Sequence, residues 1–322
     1  MPLERSLEQG SSEAVKRVKQ RLSGFETEAG RRKGLGFQPN AGDVFIVTTP
    51  KAGTTWMQQI CHQLRSRGSM DFEEISAVVP WIELAHDLGQ DLEEPQVAQP
   101  RCFKTHCWYD HCPKGGKYIV VVRDPADVAL SFYKFFEDWF FEPGEVGLEE
   151  FVREFWLARG VPESEMQNAS YFHHLISWWQ HVGRDDVLWV FFEDMKQDLR
   201  SVVQRVAAFM GIPDADDALI DKVVEHSSFE FMKAHEAQFD EHLSKLRRNA
   251  ACGLPPDAGM RHGKINRGES GAAKKTLPAE VLADIHAKWK QVVAPVVGCD
   301  TYAAFRDKVH AQQQQQQQQQ QA

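Results

Sequence analysis

Long apolar runs are missing from this 322-residue chain: no stretch approaches the roughly 18 apolar residues that a membrane-spanning helix requires. Its first thirty residues are rich in Glu, Arg, Lys and Ser and contain neither the apolar centre nor the cleavage site of a secretory signal. These absences lead to the expectation of a soluble, cytoplasmic protein without a membrane partner. Positive charge is not in excess either. The formal net charge is −9, which argues against a nucleic-acid partner bound through a broad basic surface. Any polyanion site must therefore be a local pocket of positive charge. Cysteine is sparse, and the six thiols at 61, 102, 107, 112, 252 and 299 lack the density of a disulfide scaffold, which fits a reducing compartment. Cys107 and Cys112 stand near His106 and His111, but the CxxC pairs of structural zinc sites are absent, and no metal is expected.

What is present is an ordinary globular composition, 42% hydrophobic and 26% charged, over a length that suits one large α/β domain. The stretch FIVTTPKAGTTW, residues 45–56, organises the rest. Val44 to Val47 read as a buried strand that Pro50 ends. Gly53 frees the backbone for a sharp turn, and from Thr54 the residues Trp56, Ile60, Cys61 and Leu64 recur at helical spacing until Gly68. A strand, a tight loop and a helix N-terminus with a lysine beside it make an anion site that suits a phosphate, with Lys51, Thr54 and Thr55 placed to complete it. The loop is not the ATP-binding G-x-x-x-x-G-K-[ST], because Lys51 precedes the only glycine.

Further along, Arg101 to His106 reads as a strand with Lys104, Thr105 and His106 at its C-terminal end, where open α/β sheets bind ligands. Tyr118 to Val122 is a β-branched run expected of a strand covered on both faces, with Arg123 at its end, a turn at Asp124-Pro125 and a helix from Val128. A fourth strand is read in VLWVFFEDM, 187–195, followed by a helix that stops at Gly211. Residues 69–100 read as loops with one short helix, residues 5–23 as a peripheral helix, and residues 279–293 as a helix. The aromatic-rich stretch 137–180 is mostly core, with a few rings left to line an acceptor pocket. Ten consecutive glutamines, 312–321, are low-complexity and not expected to fold alone.

The loop P-K-x-G-T-T-W resembles the 5′-phosphosulfate loop of sulfotransferases that use 3′-phosphoadenosine 5′-phosphosulfate, PAPS, and implies a nucleotide contact along Lys51, Ala52, Gly53, Thr54, Thr55 and Trp56. K-T-H resembles that family's strand for the catalytic base, which implies His106, with Lys104 beside it. V-R-D-P-x-D-V-x-x-S-x-Y is similar to its 3′-phosphate motif, implying Arg123 and Ser131 as the grip, and a guanidinium suits phosphate bidentately. Looser matches are Phe192 in F-F-E-D-M, where the relatives have tyrosine, Ser227 and Phe229 in HSSFEFMK, and Arg261, His262 and Gly263 in GMRHGKINRG.

The resemblance covers roughly 40–295 and implies one α/β domain with a central parallel sheet flanked by helices, similar to nucleotide kinases. The expected layout is an N-terminal extension over 1–39, a sulfotransferase domain over 40–310 and a disordered tail over 311–322. The implied activity is transfer of sulfonate from PAPS to a phenol, alcohol, steroid or amine, with His106 as base and Lys51, Lys104 and Ser131 also serving catalysis. The alternatives are a P-loop-like nucleotide kinase or ATPase and a non-catalytic nucleotide binder. The family's short dimer motif is not met by Lys274 to Val281, which leaves the oligomeric state open.

Overall fold

The structure is a computed structural model that describes residues 11–212, 214–261, 264–265, 268 and 270–321. Two helices come first, α1 (Glu13–Ser23) and α2 (Glu28–Leu35), each begun by a hydroxyl cap, Ser12 accepting from the Val15 N–H and Thr27 from the Gly30 N–H. Strand β1 (Val44–Thr48) then leads into α3 (Thr54–Arg65). Strands β2 (Cys102–Thr105) and β3 (Lys117–Val122) follow, and β3 turns into α4 (Pro125–Trp139). After α5 (Tyr171–Trp179) comes β4 (Val187–Phe191), with α6 (Phe192–Gln197), α7 (Leu199–Met210), α8 (Asp217–His226) and α9 (Phe229–Ala234) behind it. The chain closes with α10 (His242–Arg248), α11 (Ala279–Val292) and α12 (Tyr302–Gln321).

All strand pairs are parallel, in the order β2-β1-β3-β4, and Val44 of β1 faces Cys102 on one side and Lys117 on the other. Side chains alternate between the two faces of a strand, and the core divides accordingly. Phe45, Val47, Tyr118, Val120, Val122, Trp189 and Phe191 face one layer, which includes Val15, Phe25, Trp139, Trp178 and Trp289. Val44, Ile46, Ile119, Val121 and Val190 face the other, built from Ile60, Leu64, Val203, Val206 and Val223. Helices thus cover both faces, and the C-terminal ends of β1, β2 and β3 open toward one shared cavity.

Three sequence expectations differ from what is observed. The strand read over 187–195 ends at Phe191, and α6 begins at once at Phe192, with Glu193 and Asp194 in a first turn where negative charge suits the helix dipole. The segment before residue 40 is not peripheral: Val15, Val18 and Phe25 are buried in the core. The glutamine tract continues α12. Phe305 and Val309 are buried, and Gln313 donates to the Trp189 carbonyl of β4 at 3.2 Å while Gln316 donates to the Gly183 carbonyl at 2.7 Å. Glutamine is a fair helix former, and this helix lies along the exposed edge of the sheet.

Candidate active site

The turn between β1 and α3 sets the site. Lys51 has φ +74° and Gly53 φ +110°, both left-handed. A side chain at Gly53 would be strained by that φ and would also press on Phe192 Cδ2, 3.1 Å from an ideal Cβ, and on Met195 Cε at 3.3 Å. Gly53 caps α3 without a side chain, so the first-turn N–H groups are left to an anion. Ala52 is fully buried in the core, while Lys51, Thr54, Thr55 and Trp56 line a cavity of about 750 Å³. Thr54 Oγ1 lies 2.6 Å from Thr48 Oγ1, which fixes the first turn of α3 to the end of β1.

Positive charge is concentrated in this cavity although the chain as a whole is acidic. Lys51, Lys104, Arg123 and Lys264 all line it, with Glu241 between Lys104 and Lys264 and Asp127 beside Arg123. Burial pushes the Lys51 ammonium down to about 7, with Lys264, Lys104 and Arg123 adding to the effect and Glu241 opposing it. Lys51 Nζ stands 4.4 Å above the centroid of the Phe135 ring. Lys104 is buried against the Trp81 ring and pairs with Glu241, and Lys264 Nζ reaches the same Glu241 Oε1 at 2.6 Å. Burial alone would raise the Glu241 carboxyl, yet Lys104 and Lys264 hold it below the usual range. Glu241 also sits at φ +61°, a strained backbone for a non-glycine residue. Burial pushes Lys264 down to about 8.

His106 follows β2 directly, between the Trp81 ring, 4.9 Å away edge-on, and the end of β1. Its Nδ1 lies 2.9 Å from the Thr48 carbonyl and 3.2 Å from Thr48 Oγ1. A carbonyl only accepts, so Nδ1 carries the hydrogen and Nε2 is left with its lone pair. Burial, with Lys104 adding, pushes the imidazole well below its ordinary value, so it is neutral at pH 7. Buried Glu83 accepts from the His106 backbone N–H at 2.6 Å.

The residues read for the nucleotide gather at the other end. Trp56 meets Phe192 edge-on at 5.3 Å and donates its ring N–H to the Ser227 carbonyl at 2.7 Å. The Ser227 hydroxyl is fully buried without a hydrogen-bond partner among the described residues, as expected where a ligand group completes the set. Phe229 opens α9 and lines the same wall. Arg123 packs its guanidinium 4.2 Å from the Phe192 ring and 3.9 Å from Asp127 Oδ2, and Ser131 lies in α4 on the cavity wall. Buried Asp127 accepts from Gly271 and Ala273 N–H groups at 2.6 and 3.0 Å, tying down the segment after the glycine-rich loop. Arg261 is placed at the far end of α4, bonded to Glu142 at 2.7 Å and to the Glu137 and Phe141 carbonyls, rather than to the turn that holds Arg123. His262 and Gly263 lie outside the described residues.

The remaining wall is apolar and aromatic, formed by Leu22, Phe25, Trp81, Phe132, Phe136 and Phe140, with Glu26, Arg159 and Asn168 at its edge. Sequence reasoning missed Trp81, Glu83, Glu241 and Lys264. Trp81 forms a single parallel bridge to Lys104, and a stretch read as loop thus comes beside His106. A buried glutamate between two lysines has no short-range signal. Lys264, three residues after Arg261, was legible as another cation in the same loop.

Among the described residues, Glu74, Asp240 and His242 form the one group whose ligand atoms are close enough to hold a metal ion. They are already bonded internally, His242 Nδ1 to Asp240 Oδ1 at 2.6 Å and Glu74 Oε2 to the Leu243 N–H at 2.8 Å. Cys107 and Cys112 are buried free thiols.

A family model described as "Sulfotransferase domain" matches residues 41–295. Sulfotransferase 1E1 of Cavia porcellus is 30% identical over 213 residues, covering 61% of this chain and 68% of that protein. Sulfotransferase 1B1 of Mus musculus is 31% identical over 219 residues, covering 64% and 71%. A crystal structure of a mouse sulfotransferase complexed with PAP shares the fold with TM-score 0.62 at 23% identity, over 83% of this chain and 90% of that one. Retinol dehydratase in a complex with retinol and PAP does so with TM-score 0.64 at 19% identity, over 88% and 95%.

Proposed function

This chain belongs to the sulfotransferase domain family, and from that premise we propose that it moves a sulfonate group from PAPS to a hydroxyl or amine of a small-molecule acceptor, releasing 3′,5′-ADP. Family membership disfavours the kinase and non-catalytic alternatives. The observation that carries the reading is the His106 tautomer: Nδ1 is held by the Thr48 carbonyl, and Nε2 keeps its lone pair in the cavity that also holds Lys51 and Lys104. The acceptor O–H or N–H gives its proton to Nε2 as the new bond to sulfur forms. The bond from sulfur to the phosphate oxygen breaks, and charge develops on that oxygen. Lys51, Lys104 and the N–H groups opening α3 neutralise it, much as in phosphoryl transfer.

Arg123 and Ser131 are assigned to the 3′-phosphate, and Trp56, Phe192, Ser227 and Phe229 to the adenosine. Arg261 joins them only if its pair with exposed Glu142 is exchanged for the phosphate. The lysines supply the charge neutralisation, and no metal is assigned. The functional unit is residues 40–310 with 13–35 added, since Leu22 and Phe25 line the cavity. Phenols, alcohols, steroids and amines are the acceptor classes proposed. No described helix is long and apolar enough to cross a membrane, and a cytoplasmic location is proposed with it. Transfer of label from [35S]PAPS across such a panel tests the function directly. Labelled product from any acceptor is expected, and a chain that binds PAPS yet labels none would overturn the reading.

A further inference from the structure

Two arginines, Arg31 buried behind the cavity wall and Arg159 lining it, are held in unequal ways. Arg31 is 1% exposed and has a partner for each of its three nitrogens: Nη1 donates to Glu26 Oε2 at 2.5 Å, Nη2 to Asn168 Oδ1 at 2.8 Å, and Nε to the Glu165 carbonyl. Glu26 is therefore already paired, although burial still pushes its carboxyl up to about 7. Arg159 lines the cavity itself, and its guanidinium donates a single hydrogen bond among the described residues, from Nη2 to the Asn168 carbonyl at 3.0 Å. It stands 6.0 Å from the Phe132 ring centroid and has no carboxylate within ion-pair distance among the described residues. A guanidinium has five N–H donors, so most of this fork is unspent. Burial, with Arg31 beside it, pushes Arg159 down to about 10, the mark of a cation short of a counter-charge that still keeps its charge at neutral pH.

We propose that the acceptor carries a carboxylate at the end remote from the group that is sulfonated, and that Arg159 selects it. The inference rests on the sulfotransferase reading. His106, Arg159 and the aromatic side chains Trp81, Phe132 and Phe136 line one cavity, so an acceptor with a reactive hydroxyl or amine, an apolar body and an anion finds a partner for each part, and the planar fork fits a carboxylate bidentately. A cationic acceptor would face Arg159 with no carboxylate in ion-pair distance of that residue among the described residues, because Glu26 is already paired with Arg31.

The test uses hydroxylated carboxylic acids of phenolic and alicyclic type, each against its primary amide. Binding to the protein saturated with 3′,5′-ADP is followed by calorimetry, and turnover with PAPS is followed alongside. The acid is expected to bind and to show kcat/KM at least about tenfold better than the amide, the difference residing in KM, as suits a charge-assisted pair. Arg159→Gln should erase that preference while leaving the affinity for 3′,5′-ADP unchanged, and Arg159→Lys should keep part of it. No preference for the acid anywhere in the panel, or an equal loss of acid and amide in Arg159→Gln, overturns the proposal. Wild-type protein that fails to bind 3′,5′-ADP would instead overturn the sulfotransferase reading, and the proposal with it.

Discussion

The sides of the cavity proposed for the phosphates and for the acceptor are built in different ways. On the proposed phosphate side stand two units that neighbour each other in the sheet: β1 turns through Lys51 and Gly53 into α3, and β3 turns through Arg123 into α4. Lys51, Gly53 and Arg123 lie within a few residues of a strand end, and the sheet supplies the rigidity. On the acceptor side, Leu22, Trp81, Phe132 and Arg159 come from four distant segments, and their neighbours define them. A site made of two short loops is fixed by local backbone chemistry. One assembled from scattered side chains depends on the whole fold and is free to vary in what it accepts.

Substitutions on the two sides should therefore separate. His106→Ala is expected to lower turnover by about 10²- to 10⁴-fold, the usual worth of a positioned base, while binding of 3′,5′-ADP stays within twofold, roughly. Retention of most of the rate at saturating acceptor would remove His106 from that role. Glu241→Gln leaves buried Lys104 and Lys264 without their carboxylate, and breaking such a pair typically costs about 3–5 kcal/mol. The ligand-free variant should melt earlier, and saturating 3′,5′-ADP should recover most of the loss by supplying the missing negative charge. Calorimetric melting with and without the nucleotide reads this, and an equal deficit in both would show that the lysines are not at the phosphates.

The pH dependence on the phosphate side has a definite sign. Lys51 titrates at about 7 in the ligand-free protein, and a bound phosphate favours its charged form. Nucleotide affinity should then fall as pH rises above about 7, by up to about tenfold per unit, with proton uptake on binding. Lys264, at about 8, acts in the same direction. Lys51→Arg, charged throughout, should flatten part of the slope, and parallel curves for the two proteins would show that Lys51 does not respond to the ligand. The smallest expected effect lies on the acceptor side: Phe25→Leu should raise the acceptor KM a fewfold and leave 3′,5′-ADP affinity unchanged. A change in nucleotide affinity instead would mean that the two sides are coupled.

The same contrast explains what was legible beforehand. Strands β1 and β3 announce themselves as short β-branched runs, and the anion loop as a strand, a glycine and a helix start, because these are local properties. Phe192 was read as strand because its apolar neighbours continue the pattern, and only the acids after it mark the start of α6. Glu241 and Trp81 could not be read, since a lysine's counter-charge more than a hundred residues away and a one-residue bridge leave no periodic trace. Arg261 illustrates the converse: the motif names the residue, but its partner, Glu142, is set by packing at the end of α4.

The central claim is that the two βα turns hold the two phosphate ends of one nucleotide. Calorimetric titration of the wild-type protein with 3′,5′-ADP and with 5′-ADP tests it most directly. Each hydrogen bond to a charged group contributes about 1.5–3 kcal/mol, and about 1.4 kcal/mol is tenfold in affinity, so loss of the 3′-phosphate from Arg123 and Ser131 should weaken binding at least about a hundredfold. Equal affinity for the two nucleotides would contradict the account.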